Sequence, residues 1–186
     1  TNNEIKPWTN KDTRIIDLKG KTVTPGFIDT HVHMTGFGKT LTAMNLRGIN
    51  SIKQILQKLK EQVQKTTPSQ WIFGHGWDQE RFQEKRYPTK WDLDESSPNN
   101  PVILRRVCGH MCIVNSKALE LANVTKETLS PPGGEIDKDS ETGEPTGILS
   151  ENAMDLIQRI VPKPDEEELM EACGRACQKA VEAGLT

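Results

Sequence analysis

Residues 25–33 read Pro25-Gly26-Phe27-Ile28-Asp29-Thr30-His31-Val32-His33, and no other stretch narrows the fold as much. Proline and glycine make a turn. The apolar run behind them, turning polar at its end, predicts a buried strand of a parallel sheet over residues 27–33. Positions i and i+2 of a strand share a face, so His31 and His33 present two imidazoles to one point. Neutral imidazole is a common metal ligand, and this spacing suits one divalent cation. Asp29, one step earlier on that face, is placed to orient a histidine ring through a hydrogen bond. A bare His-X-His arises often by chance; the turn and strand in front of it make this one specific.

The rest of the chain reads as alternating strands and helices. Residues 13–18 and 21–24 predict two short strands separated by Lys19 and Gly20. Ile52, Ile55, Leu56, Leu59 and Val63 recur at helical spacing behind Asn50 and Ser51, either of which can cap the first turn. Residues 71–73 predict a strand leading into the loop Gly74-His75-Gly76-Trp77-Asp78, and residues 102–107 predict another. Thr89 with Asp92 forms a capping pair for a short helix, and Asn115 or Ser116 caps a second one through Leu121. Asp139 to Gly143 predicts the turn of a hairpin whose return strand includes residues 146–149. One helix follows Ser150; another, capped by Asp165, ends at Gly184. A helix that closes on Ala-Gly-Leu-Thr in an α/β protein turns into a further strand, which is expected beyond Thr186.

Charge and cysteine content remove several classes of function. The chain has 24 basic and 26 acidic residues, a formal net charge of -2, so no global field draws it to nucleic acid or to an anionic membrane. No apolar run nears the roughly 20 residues that a membrane span needs. A cytoplasmic protein with reduced thiols is the expectation. Cys108, Cys112, Cys173 and Cys177 can be drawn as a four-thiolate zinc site. Cys173 and Cys177, however, continue a helical apolar stripe with Leu169, Ala176 and Ala180, and Cys108 and Cys112 lack a tight knuckle turn; small hydrophobes are the better reading.

Residues 22–33, Thr22-Val23-Thr24 followed by the run above, resemble the first barrel strand of the amidohydrolase superfamily. Gly74-His75-Gly76-Trp77-Asp78, Gly109-His110, Asn115-Ser116-Lys117-Ala118-Leu119 and Gly147-Ile148-Leu149-Ser150-Glu151 are similar, in the same order, to the YtcJ-like branch related to N-substituted formamide deformylases. The resemblance implies an α/β fold: a fragment of a (β/α)8 metal-dependent hydrolase barrel with an inserted α/β segment after the first barrel strand. Residues 1–24 would belong to an N-terminal β-sandwich, 25–40 to the first barrel strand and its loop, 41–161 to the insert, and 162–186 to a barrel helix leading to the next strand.

The same resemblance implies hydrolysis of C–N bonds in amides or formamides, with one or two divalent ions, zinc foremost. It makes His31 and His33 ligands and Glu151 a further candidate, against the plainer reading of Glu151 as a residue suited to a first helical turn. His110, Asn115 and Trp77 would face a small-molecule substrate, although the family's aspartate before Gly-His is Cys108 here. The general base and remaining ligands are expected past Thr186, which leaves this stretch alone catalytically silent. A homodimer is compatible with all of this. The alternative is a ligand-binding or regulatory module, without catalysis, formed by the region after the first strand.

Overall fold

A computed structural model describes residues 2–186, Asn2 by its backbone alone. A short helix α1 (Asn2–Ile5) and a 3-10 turn (Lys6–Trp8) come first, followed by irregular chain up to α2 (Met34–Thr40). Then come β1 (Met44–Asn45), α3 (Ile52–Val63), β2 (Ile72–Trp77), α4 (Lys90–Asp94), β3 (Val102–Arg106), β4 (Met111–Val114) and α5 (Ser116–Leu121). The hairpin of β5 (Gly134–Lys138) and β6 (Pro145–Glu151) precedes α6 (Asp155–Gln158) and the long α7 (Glu166–Glu182).

The six strands make one mixed sheet in the order β1-β2-β3-β4-β6-β5. Parallel neighbours need a crossover and antiparallel ones only a short turn, and the connections follow that rule. α3 links the parallel pair β1 and β2, and α4 links β2 and β3, whereas β3–β4 and β5–β6 pair antiparallel. The β5–β6 turn closes on Asp139, whose carbonyl accepts from Gly143 N–H and whose Oδ1 accepts from Thr142 N–H. Strand alternation divides the core between two faces. Ile72, Val102, Leu104, Ile113 and Ile148 pack with Ile52, Ile55 and Leu59 of α3 and Leu93 of α4. Ile103, Cys112, Val114 and Leu149 pack on the other side with Ala118 and Leu119 of α5, Ala153 and Ile157.

A second packing unit joins α2 to α7. A Cβ on Gly38 would lie 1.8 Å from the carbonyl oxygen of Ala172, so the helices cross backbone to backbone, and Ala172 and Ala176 are buried there. Beside this crossing Phe27 pairs parallel with Leu185: Phe27 N–H donates to Gly184 O at 2.8 Å and Thr186 N–H to Phe27 O at 2.9 Å.

Three sequence expectations need correction. Residues 27–33 do not form a buried strand; only Phe27 is bridged, and the segment is exposed. Strand backbone needs partners for its N–H and C=O groups, and among the described residues the only strand-like ones are Gly184 O and Thr186 N–H, both taken by Phe27. Residues 13–18 and 21–24 form no ladder either. The turn between them is present, with Lys19 at φ 48° and Gly20 at φ 79° and Lys21 N–H donating to Leu18 O, but no third strand takes it up. The expected loop at Gly74 to Trp77 is instead strand, with an irregularity between His75 and Trp77. The helix capped by Ser51, the capping boxes of Thr89–Asp92 and Asp165–Glu168, and the helix capped by Asn115 all form.

Asn115 holds the layers together. Fully buried, it accepts at Oδ1 from Val102 N–H (3.0 Å) and Ala118 N–H (3.1 Å), and donates from Nδ2 to the carbonyls of Ser97 and Asn100, both at 2.9 Å. Replacing it by alanine leaves these four groups short of partners, each costing about 1–3 kcal/mol. Asn115→Ala is therefore expected to lose at least about 3 kcal/mol of stability in urea denaturation, with an unchanged denaturant slope.

Candidate metal and substrate site

The rings of His31 and His33 lie side by side, their centroids 5.2 Å apart and their planes at 73°. Two imidazoles on one zinc ion, each about 2.0–2.1 Å from it, have centroids roughly 5 Å apart, the same spacing as this pair. Strand alternation is not what brings them together. Asp29 Oδ1 accepts from the backbone N–H of His31 at 3.0 Å, fixing a tight corner, and His33 O accepts from Phe37 N–H at 2.8 Å as the chain enters α2. Asp29 thus orients the backbone of His31, not an imidazole. Among the described residues no third His, Cys, Asp or Glu joins them in a metal-sized group.

His110 and Glu151 form a second pair where β4 and β6 run side by side. Met111 and Ser150 are in register, Glu151 N–H donates to His110 O at 2.9 Å, and His110 Nδ1 lies 3.1 Å from Glu151 Oε2. Glu151 has φ 50° and ψ -127°, a conformation that costs a residue with a side chain about 1–3 kcal/mol. Its carboxylate makes no capping bond to the 3-10 turn Asn152–Met154 that follows. Helix capping therefore does not account for a glutamate here.

Next to this pair, in the β3–β4 turn, Cys108 is exposed. Burial works to raise its thiol, but the Arg106 guanidinium and the backbone N–H of His110 outweigh it and hold the group below the ordinary thiol range. Arg106 is itself fixed by Gln79 Oε1 at 2.6 Å and Asp78 Oδ1 at 3.2 Å. Sequence reading did not single out Arg106, although a charged residue at a strand end beside Gly109-His110 was the available signal. Cys112 is the opposite case: burial in the core pushes its thiol up to about 12. With one cysteine in the core and no metal-sized cluster among the described residues, the four-thiolate site is not assembled.

Trp77 and Asn115, expected against substrate, lie in the core. Trp77 is fully buried, its indole N–H donates to Leu104 O at 2.8 Å, and the rings of Phe82 and Tyr87 pack on it. The side-chain donors and acceptor of Asn115 are spent on backbone. Of the three expected substrate contacts, only His110 is on the surface.

The amidohydrolase family pattern matches residues 14–186. The chain belongs to the amidohydrolase family. It is 39% identical over 179 residues to the YtcJ amidohydrolase of Bacillus subtilis (strain 168), covering 96% of this chain and 34% of that protein. It is 34% identical over 159 residues to the N-substituted formamide deformylase of Arthrobacter pascens, 84% of this chain and 29% of that one. Among solved structures, a metal-dependent hydrolase from Pyrococcus furiosus superposes with a TM-score of 0.63 at 32% identity, over 91% of this chain and 32% of that chain. One from Pyrococcus horikoshii OT3 gives 0.65 at 29% identity, over 100% and 34%. This chain spans about a third of the length of the curated relatives it matches.

The thiol contrast gives a test. In the folded chain, iodoacetamide is expected to modify Cys108, which is exposed, while buried Cys112 stays protected. A lowered pKa keeps thiolate present as pH falls, so the Cys108 rate declines at lower pH than for a free thiol when followed by peptide mass spectrometry from about pH 6 to about pH 9. Arg106→Gln is expected to move that decline upward.

Proposed function

We propose that this chain supplies the first metal-binding corner of a divalent-metal hydrolase acting on C–N bonds of amides or formamides. The observation that carries the reading is the His31–His33 pair, two exposed imidazoles 5.2 Å apart within the stretch that the family pattern covers. The name of the Arthrobacter relative supports the bond, and the two Pyrococcus hydrolases, described as metal-dependent, support the ion. His31 and His33 are the ligands, zinc is the expected metal, and Glu151 is a further donor. A strained glutamate with no capping role is what a functional requirement leaves behind. A bound divalent ion supplies hydroxide near neutral pH and polarises the scissile carbonyl.

The remaining assignments concern this chain's own groups. Glu151 engages Nδ1 of His110 and leaves Nε2 as the ring atom for substrate. α7 delivers Leu185 parallel to Phe27, the relation expected of successive barrel strands, so residues 25–40 and 162–186 are read as barrel and 41–161 as insert. A small-molecule substrate and a cytoplasmic setting complete the proposal; no helix among the described residues is long and apolar enough to cross a membrane.

The test is metal content and turnover together. The full-length protein that contains this chain, purified without chelator, is expected to retain zinc, manganese or iron and to hydrolyse N-substituted formamides or amides. His31→Asn and His33→Asn are each expected to lower metal affinity by more than about a hundredfold, beyond the loss caused by removing even an outer hydrogen-bond partner, with turnover lost in parallel. If the double variant keeps both metal and turnover, the ligand assignment is wrong.

A further inference from the structure

α3 and α4 cover the sheet face that carries Met44, Leu46 and Leu104. Alternation turns Asn45, Phe73, His75 and Arg105 to the opposite face, where Asn45, Phe73 and Arg105 are exposed. Register places Asn45, His75 and Arg105 abreast across β1, β2 and β3, at a strand spacing of about 4.8 Å. Arg47 joins them because Gly76 has no side chain: a Cβ there would lie 2.5 Å from Arg47 Cγ. Register thus sets Arg105 beside His75, and Arg47 lies against Gly76, the next residue in the chain. Arg86 and Arg106 are held by Asp92 and Asp78, whereas no carboxylate pairs with Arg47 or Arg105 among the described residues.

Two further features lie next to this row. Phe73 stacks on Trp71 with centroids 6.3 Å apart and planes at 16°, giving the same face an aromatic step. His75 Nε2 lies 3.3 Å from Thr40 O, at the far end of the seven-residue helix that starts just after His33, roughly 10 Å along its axis. On the other side the row meets Cys112, the register partner of Arg105, two residues from His110.

We propose that Arg47, His75 and Arg105, with Asn45, form an anion subsite for a carboxylate carried by the substrate, and that the Trp71–Phe73 step takes an apolar or aromatic group beside it. Two guanidinium groups with no carboxylate partner on one face leave their N–H donors for a ligand, and a carboxylate takes such donors through charge-assisted, forked hydrogen bonds. The ligand class is an N-acylated or N-formylated amino acid with an apolar side chain. The assignment rests on the hydrolase reading only for the amide; recognition of the anion needs neither metal nor turnover.

Calorimetric titration with N-formylphenylalanine and its neutral counterpart N-(2-phenylethyl)formamide tests this. A chelator in the cell stops turnover and excludes a metal as the anion's partner. The carboxylate is expected to bind more tightly than the neutral probe. Arg47→Gln and Arg105→Gln should each weaken it about tenfold, the loss of one charge-assisted contact, and leave the neutral probe unchanged. Arg105→Lys should recover part of the loss, and Arg159→Gln, elsewhere on the surface, should cause none. Equal affinity for the two probes, no binding of the anion at millimolar concentration, or equal weakening of both probes by the arginine variants overturns the subsite. Failure of the metal assay with anion binding intact overturns only the hydrolase reading.

Discussion

Gly38 and Ala172 touch where two helices meet without an intervening side chain, and the placement of the candidate ligands follows from that contact. α2 begins directly after His33 and α7 ends just before Leu185, so a crossing fixed at the backbone also fixes the two chain segments leaving it. That is why Phe27 reaches Leu185 in parallel register. It also sets where the C-terminal end of α2 meets the sheet, through Thr40 and His75. A side chain at position 38 would separate all of these at once.

Much of the sheet domain was readable because its signals are local. The apolar stripe of α3, the capping side chains of Ser51, Thr89, Asn115 and Asp165, and the Asp139–Gly143 turn each act over three or four residues. Residues 27–33 were misread for a complementary reason: a strand is defined by neighbours, and sequence composition does not supply them. His31 and His33 still come together, but through the Asp29 corner that was assigned a different role. α2 went unseen because Gly36 and Gly38 argue against a helix, and the advantage of Gly38 lies in a partner 134 positions later in the sequence.

The substrate-facing assignments show a different limit. Asn115 and Trp77 sit in segments that resemble the family's motifs, yet their polar atoms are consumed inside the core. A motif residue can be specific because the fold requires it. Conversely, Arg47, Arg105 and Arg106 drew no notice as isolated charges. Their meaning depends on which face alternation gives them and on whether a carboxylate stands opposite, and neither is visible before the strands are in register.

Glu151 has a consequence for how this sequence can drift. Its backbone adopts a conformation that glycine enters freely, so mutation to glycine would relieve strain rather than create it. Random substitution should therefore favour the smaller residue at this point whenever selection relaxes. A lineage of such chains that had lost its chemistry would be recognisable by a glycine at the end of β6, with the surrounding sheet otherwise intact.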